Sequence, residues 1–215
     1  IGAGLSLENL KSLSAEKLPA IHSILKIFGS LQIRNLATLG GNMGSASPIG
    51  DMLPLMLAYK AHVKLQSVTF DRIIRLDEFL KGYRSTHIRP NELITAIHIP
   101  KPEPGTIIKS YKVSKRKDMD ISTVSGGFSL QSERGNVKEI ILAFGGMADM
   151  PKRATDTEKH LFGKPWTRPN VEQAMKILAT EFSPLSDARA GAEYRSLVAR
   201  NLLLKFYSET STSGL

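Results

Sequence analysis

The chain has 215 residues, 41% of them hydrophobic, with 29 Lys and Arg against 20 Asp and Glu, a formal charge of +9 and no cysteine. That length carries one large core or two smaller ones, and the lack of thiols excludes disulfides, cysteine-ligated clusters and thiol catalysis. No apolar run approaches the roughly 20 residues of a membrane span, and the histidines at 22, 62, 87, 98 and 160 never take the i, i+4 spacing of a helical metal pair.

Ile1 to Leu5 lack the basic region of a signal peptide and an initiator Met, which suggests a piece of a longer or processed protein. Ser6 then reads as the cap of a short helix over 6–10. A second helix begins near Lys17, with Pro19 in its first turn. Ile21, Ile24, Leu25 and Phe28 fall at i, i+3, i+4 and i+7 and predict one buried stripe, with His22 on the surface and Gly29 as the stop.

Residues 32–51 break this regularity. Four glycines lie between 40 and 50, and the stretch reads as neither helix nor strand. Glycine lets a backbone approach a ligand closely, and successive N–H groups in such a turn form a nest for phosphate oxygens. Thr38, Asn42, Ser45 and Ser47 add short hydrogen-bonding side chains. Asp51 either accepts from a ribose-like hydroxyl or caps the apolar helix expected over 52–59. A plain surface turn is the competing interpretation, because short glycine motifs match by chance.

Strands follow at 62–66 and 68–74, joined by a tight turn, then a helical turn at 76–80 closed by Gly82 and a strand at 92–100 with His98 half-exposed. Lys101-Pro102-Glu103-Pro104-Gly105 stops any regular element and sets a subdomain boundary, 1–103 and 104–215. Beyond it three strands are expected, at 106–114, 121–131 and 137–144, antiparallel across a hairpin turn at 132–136. Helices follow: 156–162, one with the stripe Val171, Ala174, Met175, Leu178, Ala179 and Phe182, and one with the stripe Tyr194, Leu197, Val198, Leu202 and Phe206. A sheet followed by helices gives an α+β layer.

From Lys109 to Lys117 there are five basic residues and no acid. Alternation along a strand puts Lys109, Tyr111 and Val113 opposite Ser110, Lys112 and Ser114, so not all of these charges can share one site. A solvated face is one interpretation and a nucleic-acid surface another, although only Tyr111 is available for stacking. Asp118 and Asp120 form a candidate acid/base pair of little weight. There is neither a nucleophile elbow nor a P-loop.

The wording of several stretches is more specific. Arg34-Asn35-Leu36-Ala37-Thr38-Leu39-Gly40-Gly41-Asn42 and Ala46-Ser47-Pro48-Ile49-Gly50-Asp51 resemble the flavin-binding domain of the molybdenum hydroxylases, in the xanthine dehydrogenase branch. Gly82-Tyr83-Arg84-Ser85-Thr86, the run from Lys112 to Ser122, and Phe144-Gly145-Gly146-Met147-Ala148-Asp149 agree in order and spacing. The resemblance implies an α+β fold: a first subdomain that is the second half of a PCMH-like flavin domain, then a subdomain with a three-stranded antiparallel sheet packed by helices.

It further implies FAD as cofactor. Thr38, Leu39, Gly40, Gly41 and Asn42 would wrap phosphates and ribityl chain. Ser45, Ser47 and Asp51 would hold the loop or the ribose side, and Phe28, Ile94 and Lys112 would line the cofactor. Lys115 and Arg116 would lie in a loop near it. In the family a molybdopterin centre hydroxylates a purine, and [2Fe–2S] clusters pass the electrons to FAD, whose reduced form gives a hydride to NAD. Partners would be the iron–sulfur domain and the molybdopterin subunit, in the cytoplasm, with neither nucleic acid nor membrane.

Flavin subunits of carbon monoxide dehydrogenase or aldehyde oxidase type are the alternative within the family, and a basic binding module is the alternative outside it. The family places a further glycine-rich phosphate-binding segment before the matched region, and this chain begins after it. Weak FAD binding and no activity of the chain alone are therefore expected.

Overall fold

A computed structural model describes residues 1–117 and 119–211. Helix α1 (Leu7–Ser14) starts where the Ser6 hydroxyl accepts from the Asn9 N–H at 3.3 Å, and it runs a turn longer than the sequence suggests. Helix α2 (Pro19–Lys26) opens on its proline and buries Ala20, Ile21, Ile24 and Leu25. It stops before Phe28, so that ring is only half-buried, and Gly29 turns the chain with φ +50°.

The glycine-bearing stretch is helical, contrary to the sequence expectation. Helix α3 (Leu31–Leu36) is capped by Ser30, whose hydroxyl accepts from Ile33 N–H, and α4 (Leu39–Ser45) by Thr38, whose Oγ1 accepts from Gly41 N–H at 3.0 Å. Each glycine inside a helix costs about 1 kcal/mol relative to alanine. The cap and the complete burial of Leu39 and Met43 offset that cost. Ala46, in the left-handed region at φ 41°, ends α4.

Helix α5 (Met52–Ala58) is apolar on every side and all seven residues are buried, as befits a helix surrounded by protein. Strands β1 (His62–Gln66) and β2 (Asp71–Arg75) form an antiparallel hairpin. Helix α6 (Leu76–Phe79) and the short pair β3 (Leu80–Gly82) and β4 (Ser85–Thr86) lead to β5 (Leu93–His98), which pairs with β1 to give the order β2-β1-β5. His98 is exposed, and Ile97 is the buried residue of that strand. Aliphatic side chains from α1, α2, α4, α5 and β1 make the first core.

Strands β6 (Ile107–Val113), β7 (Val124–Glu133) and β8 (Asn136–Gly145) form the expected antiparallel sheet, and a two-residue strand β9 (Lys152–Arg153) adds a fourth member on the β8 edge. Arg134 and Gly135 at the β7–β8 turn both have positive φ, the geometry that matches the twist of a hairpin. Helices α7 (Thr155–Leu161), α8 (Arg168–Glu181) and α9 (Ala192–Ser211) cover this sheet.

The second core is aromatic: Tyr111, Phe128, Phe144, Trp166 and Phe206 meet at 5–6.5 Å in tilted and edge contacts. The α9 stripe differs from the expected one. Tyr194 and Leu197 are exposed, and Arg195, Val198, Ala199, Leu202, Leu203 and Phe206 face the core. The periodicity fits a helix rotated by one residue, a solution that buries an arginine. Helix α5 lies against β7 and β8 and so joins the two halves, with Asp51 at its N-terminal end.

Candidate functional site

Two segments that stand out in the sequence meet at one buried point. Lys112, on the face of β6 opposite Tyr111, donates from Nζ to Asp51 Oδ2 at 2.6 Å and to Ser122 Oγ at 2.8 Å. The Ser122 hydroxyl donates in turn to Asp51 Oδ1 through a short hydrogen bond. The Lys112 and Asp51 side chains are 4% and 8% exposed, and Ser122 is buried. A buried ion pair is tolerated only when its remaining hydrogen-bonding capacity is met, and here a hydroxyl links its two members. Asp51 stands at the cap position of α5 without capping it, because both carboxylate oxygens are taken by Lys112 and Ser122.

The glycine segment contributes less open backbone than a phosphate nest requires. Gly40 N–H donates to the Ala3 carbonyl at 3.1 Å, Gly41 N–H to Thr38 Oγ1, and Asn42 N–H to the Thr38 carbonyl. The missing side chain of Gly40 makes room for Ala3, since a Cβ there would sit 2.6 Å from Ala3 Cβ. Leu39 is a core side chain. Gly41 is exposed at the helix start, and the Ser45 hydroxyl is spent on the Asn42 carbonyl at 3.0 Å. The expected nest is thus replaced by a capped helix start.

What the segment does offer is Asn42 Oδ1, a buried acceptor with no partner among the described residues. Ile94 of β5 lies against α4, its Cδ1 3.3 Å from where a Gly44 Cβ would be, and it remains partly exposed. Ser47 and Pro48 line a cavity of about 260 Å³ together with Tyr83, Arg84, Gly146 and Arg195. Phe28 packs at the edge of the first core, its carbonyl held by Arg34 Nη1 at 2.9 Å.

The basic run disperses. Tyr111 enters the aromatic core and donates to Glu209, while burial pushes its hydroxyl pKa upward. Lys115 reaches across to the Ala188 carbonyl at 2.9 Å. Asp120 accepts from the N–H groups of Arg116 and Ile121, and the Arg116 N–H holds its carboxyl below the ordinary value. Asp120 thus braces the loop; Asp118, its suggested partner, lies outside the described residues. No His, Asp or Glu group among the described residues is arranged to hold a metal ion.

Sequence reasoning singled out neither Ser122 nor Arg195. A polar residue placed on an apolar helical stripe was the available signal for Arg195. It is 2% exposed and donates to the carbonyls of Thr123 and Gly146 and to Asp187. Burial pulls the Asp187 carboxyl pKa up, but the Arg189 and Ala190 N–H groups and the Arg195 guanidinium outweigh it and hold the carboxyl below the usual range.

The residues suit a flavin dinucleotide. Asn42 Oδ1 calls for a hydroxyl or N–H donor and Ile94 offers an apolar surface, with the Lys112–Asp51 pair buried behind them.

Residues 1–102 match the family described as the FAD binding domain in molybdopterin dehydrogenase, and residues 109–210 match the CO dehydrogenase flavoprotein C-terminal domain. A xanthine dehydrogenase of Emericella nidulans is 35% identical over 97% of this chain and 16% of its own length. A nicotinate hydroxylase of the same organism is 38% identical over 91% of this chain and 15% of its own length. The chain therefore spans about a sixth of these curated relatives. Among solved structures, the Cu,Mo-CO dehydrogenase in its cyanide-inactivated form has a chain with TM-score 0.88 at 30% identity, covering 95% of this chain and 72% of that one. With both halves matched in order and the fold reproduced, the chain belongs to the FAD-binding flavoprotein family of the molybdenum hydroxylases.

Proposed function

We propose that this chain is the FAD-holding part of a xanthine dehydrogenase-like molybdenum hydroxylase, with residues 1–103 as the flavin subdomain and 104–215 as the second. The observation that carries the proposal is the buried Asp51–Lys112–Ser122 cluster, which lies where family-matched segments from both halves meet. FAD, when bound, supplies the two-electron chemistry between iron–sulfur clusters and NAD.

The protein's part is to bind, orient and tune. Lys112, held in place by Asp51 and Ser122, would put positive charge behind the flavin. Asn42 Oδ1, a buried acceptor without a partner among the described residues, would accept from a hydroxyl or N–H of the cofactor. Thr38, Leu39, Gly40 and Gly41 form the capped helix start that walls the phosphate side, with Ser45, Ser47 and Asp51 fixing the turn that follows. Phe28 and Ile94 give the apolar lining and limit water at the ring. The iron–sulfur domain, the molybdopterin subunit and NAD would be the partners, in a cytoplasmic complex oxidising a purine.

The structural likeness to CO dehydrogenase chains supports a second reading, a separate flavin subunit of that type. Assay of the full-length protein with xanthine and with carbon monoxide discriminates between the two. The cofactor role is tested by a visible spectrum of the full-length protein after desalting. A retained flavin band is expected, and a colourless protein that stays colourless after soaking in FAD would remove the proposal.

A further inference from the structure

Burying an arginine on a helix stripe is costly, and an apolar residue there would pack more cheaply. Arg195 is nonetheless enclosed, and its contacts are directional. Its Nη1 donates to the carbonyls of Thr123 and Gly146, the latter at 3.1 Å, and Nη2 donates to Asp187 Oδ1 at 2.8 Å. Asp187 is itself fixed by the Arg189 N–H at 2.8 Å and the Ala190 N–H at 3.2 Å.

The two carbonyls belong to the two walls of the buried cluster. Thr123 follows Ser122, and its own N–H donates to the Val113 carbonyl, one residue beyond Lys112, at 2.7 Å. Gly146 N–H donates to the Pro48 carbonyl at 2.7 Å, in the segment between Asn42 and Asp51. Gly146 has φ +81°, and a Cβ there would lie 2.3 Å from Thr123 O and 2.9 Å from Arg195 Nη1. Only glycine leaves room for the guanidinium to join both carbonyls.

We propose that Arg195 is a positioning residue for the flavin site, acting through Thr123 and Ser122 on the Asp51–Lys112 pair and through Gly146 on the Pro48 segment. This rests on the proposed FAD role. Helix α9 would thereby set the geometry of the cluster where the two halves of the chain meet, and its docking would be felt in flavin affinity.

The test is FAD affinity of the full-length protein, read by flavin fluorescence, for wild type, Arg195→Met, Arg195→Lys, Ser122→Ala and the Arg195→Met/Ser122→Ala double variant. Trp166→Phe serves as a control, because it removes the 2.9 Å bond from Trp166 Nε1 to Thr210 at the far end of α9. Arg195→Met and Ser122→Ala should each weaken FAD by roughly tenfold or more, with Arg195→Lys recovering part of the loss. The double variant should be no worse than the poorer single variant, since both interrupt one path. Trp166→Phe should lower the melting temperature and leave FAD affinity unchanged.

Wild-type affinity in Arg195→Met, or losses that simply add in the double variant, would overturn the proposal. Should Arg195→Met fail to fold, unchanged affinity in both Arg195→Lys and Asp187→Asn overturns it equally. A wild-type protein that holds no FAD overturns the flavin assignment and this inference together, whereas FAD-binding wild type with indifferent Arg195 variants overturns this inference alone.

Discussion

The glycine segment and the basic segment are both conspicuous in the sequence, yet they spend their residues differently. Between Thr38 and Asp51 most polar groups are consumed locally: Thr38 caps α4, Ser45 bonds back to Asn42, and Gly40 is occupied by Ala3. Between Lys109 and Lys117 the charges scatter, Lys115 to a loop carbonyl and Arg116 to Asp120. Only Lys112 turns inward, and it turns to Asp51 at the far end of the glycine segment. Conspicuous composition thus marks a scaffold in one case and a solvated strand end in the other. The two segments meet where one residue of each becomes buried.

The sharpest way to break this comparison is to remove one partner. Lys112→Met leaves Asp51 buried without its cation and should cost about 3–5 kcal/mol, measured by denaturant unfolding. The double variant Asp51→Asn/Lys112→Met should recover most of that, because the unpaired charge is gone. Equal instability of single and double variants would show that packing, and not charge, holds the two segments together.

A smaller effect tests whether the glycines serve the scaffold. Gly40→Val places new atoms against Ala3 and should destabilise by about 1–3 kcal/mol through overpacking. A neutral outcome would mean that the segment at residues 2–4 is free to move away. Thr38→Ala removes the α4 cap and should cost about 1 kcal/mol, visible as a lowered melting temperature. Lys115→Ala and Arg116→Ala should stay within about 0.5 kcal/mol, as exposed charges usually do. A large loss in either would mean that the basic loop is structural after all.

Much of the fold was legible because local signals agreed with burial. Ser6 and Pro19 opened their helices where expected, and the Glu133–Asn136 turn announced its hairpin. Misreadings came where tertiary packing overrode local preference. Gly40, Gly41 and Gly44 argue against a helix, but burial of Leu39 and Met43 carries α4 through them. Tyr194 and Leu197 looked like core, and the real stripe is one residue round because Arg195 finds carbonyls across the fold. Of the site, Asp51 and Lys112 were nameable through resemblance. Their contact was not, since 61 residues separate them and nothing local encodes it. The Ser122 hydroxyl and the Arg195 guanidinium meet their partners only in the folded chain.

On the proposed function, the Asp51–Lys112 pair is a flavin anchor and not merely a strut between two halves. FAD affinity of the full-length Asp51→Asn/Lys112→Met variant, whose stability should be nearly restored, tests this most directly. The expected result is a stable protein that has lost FAD affinity by about an order of magnitude or more, the equivalent of at least one charged hydrogen bond. A stable double variant that binds FAD as tightly as wild type would contradict it.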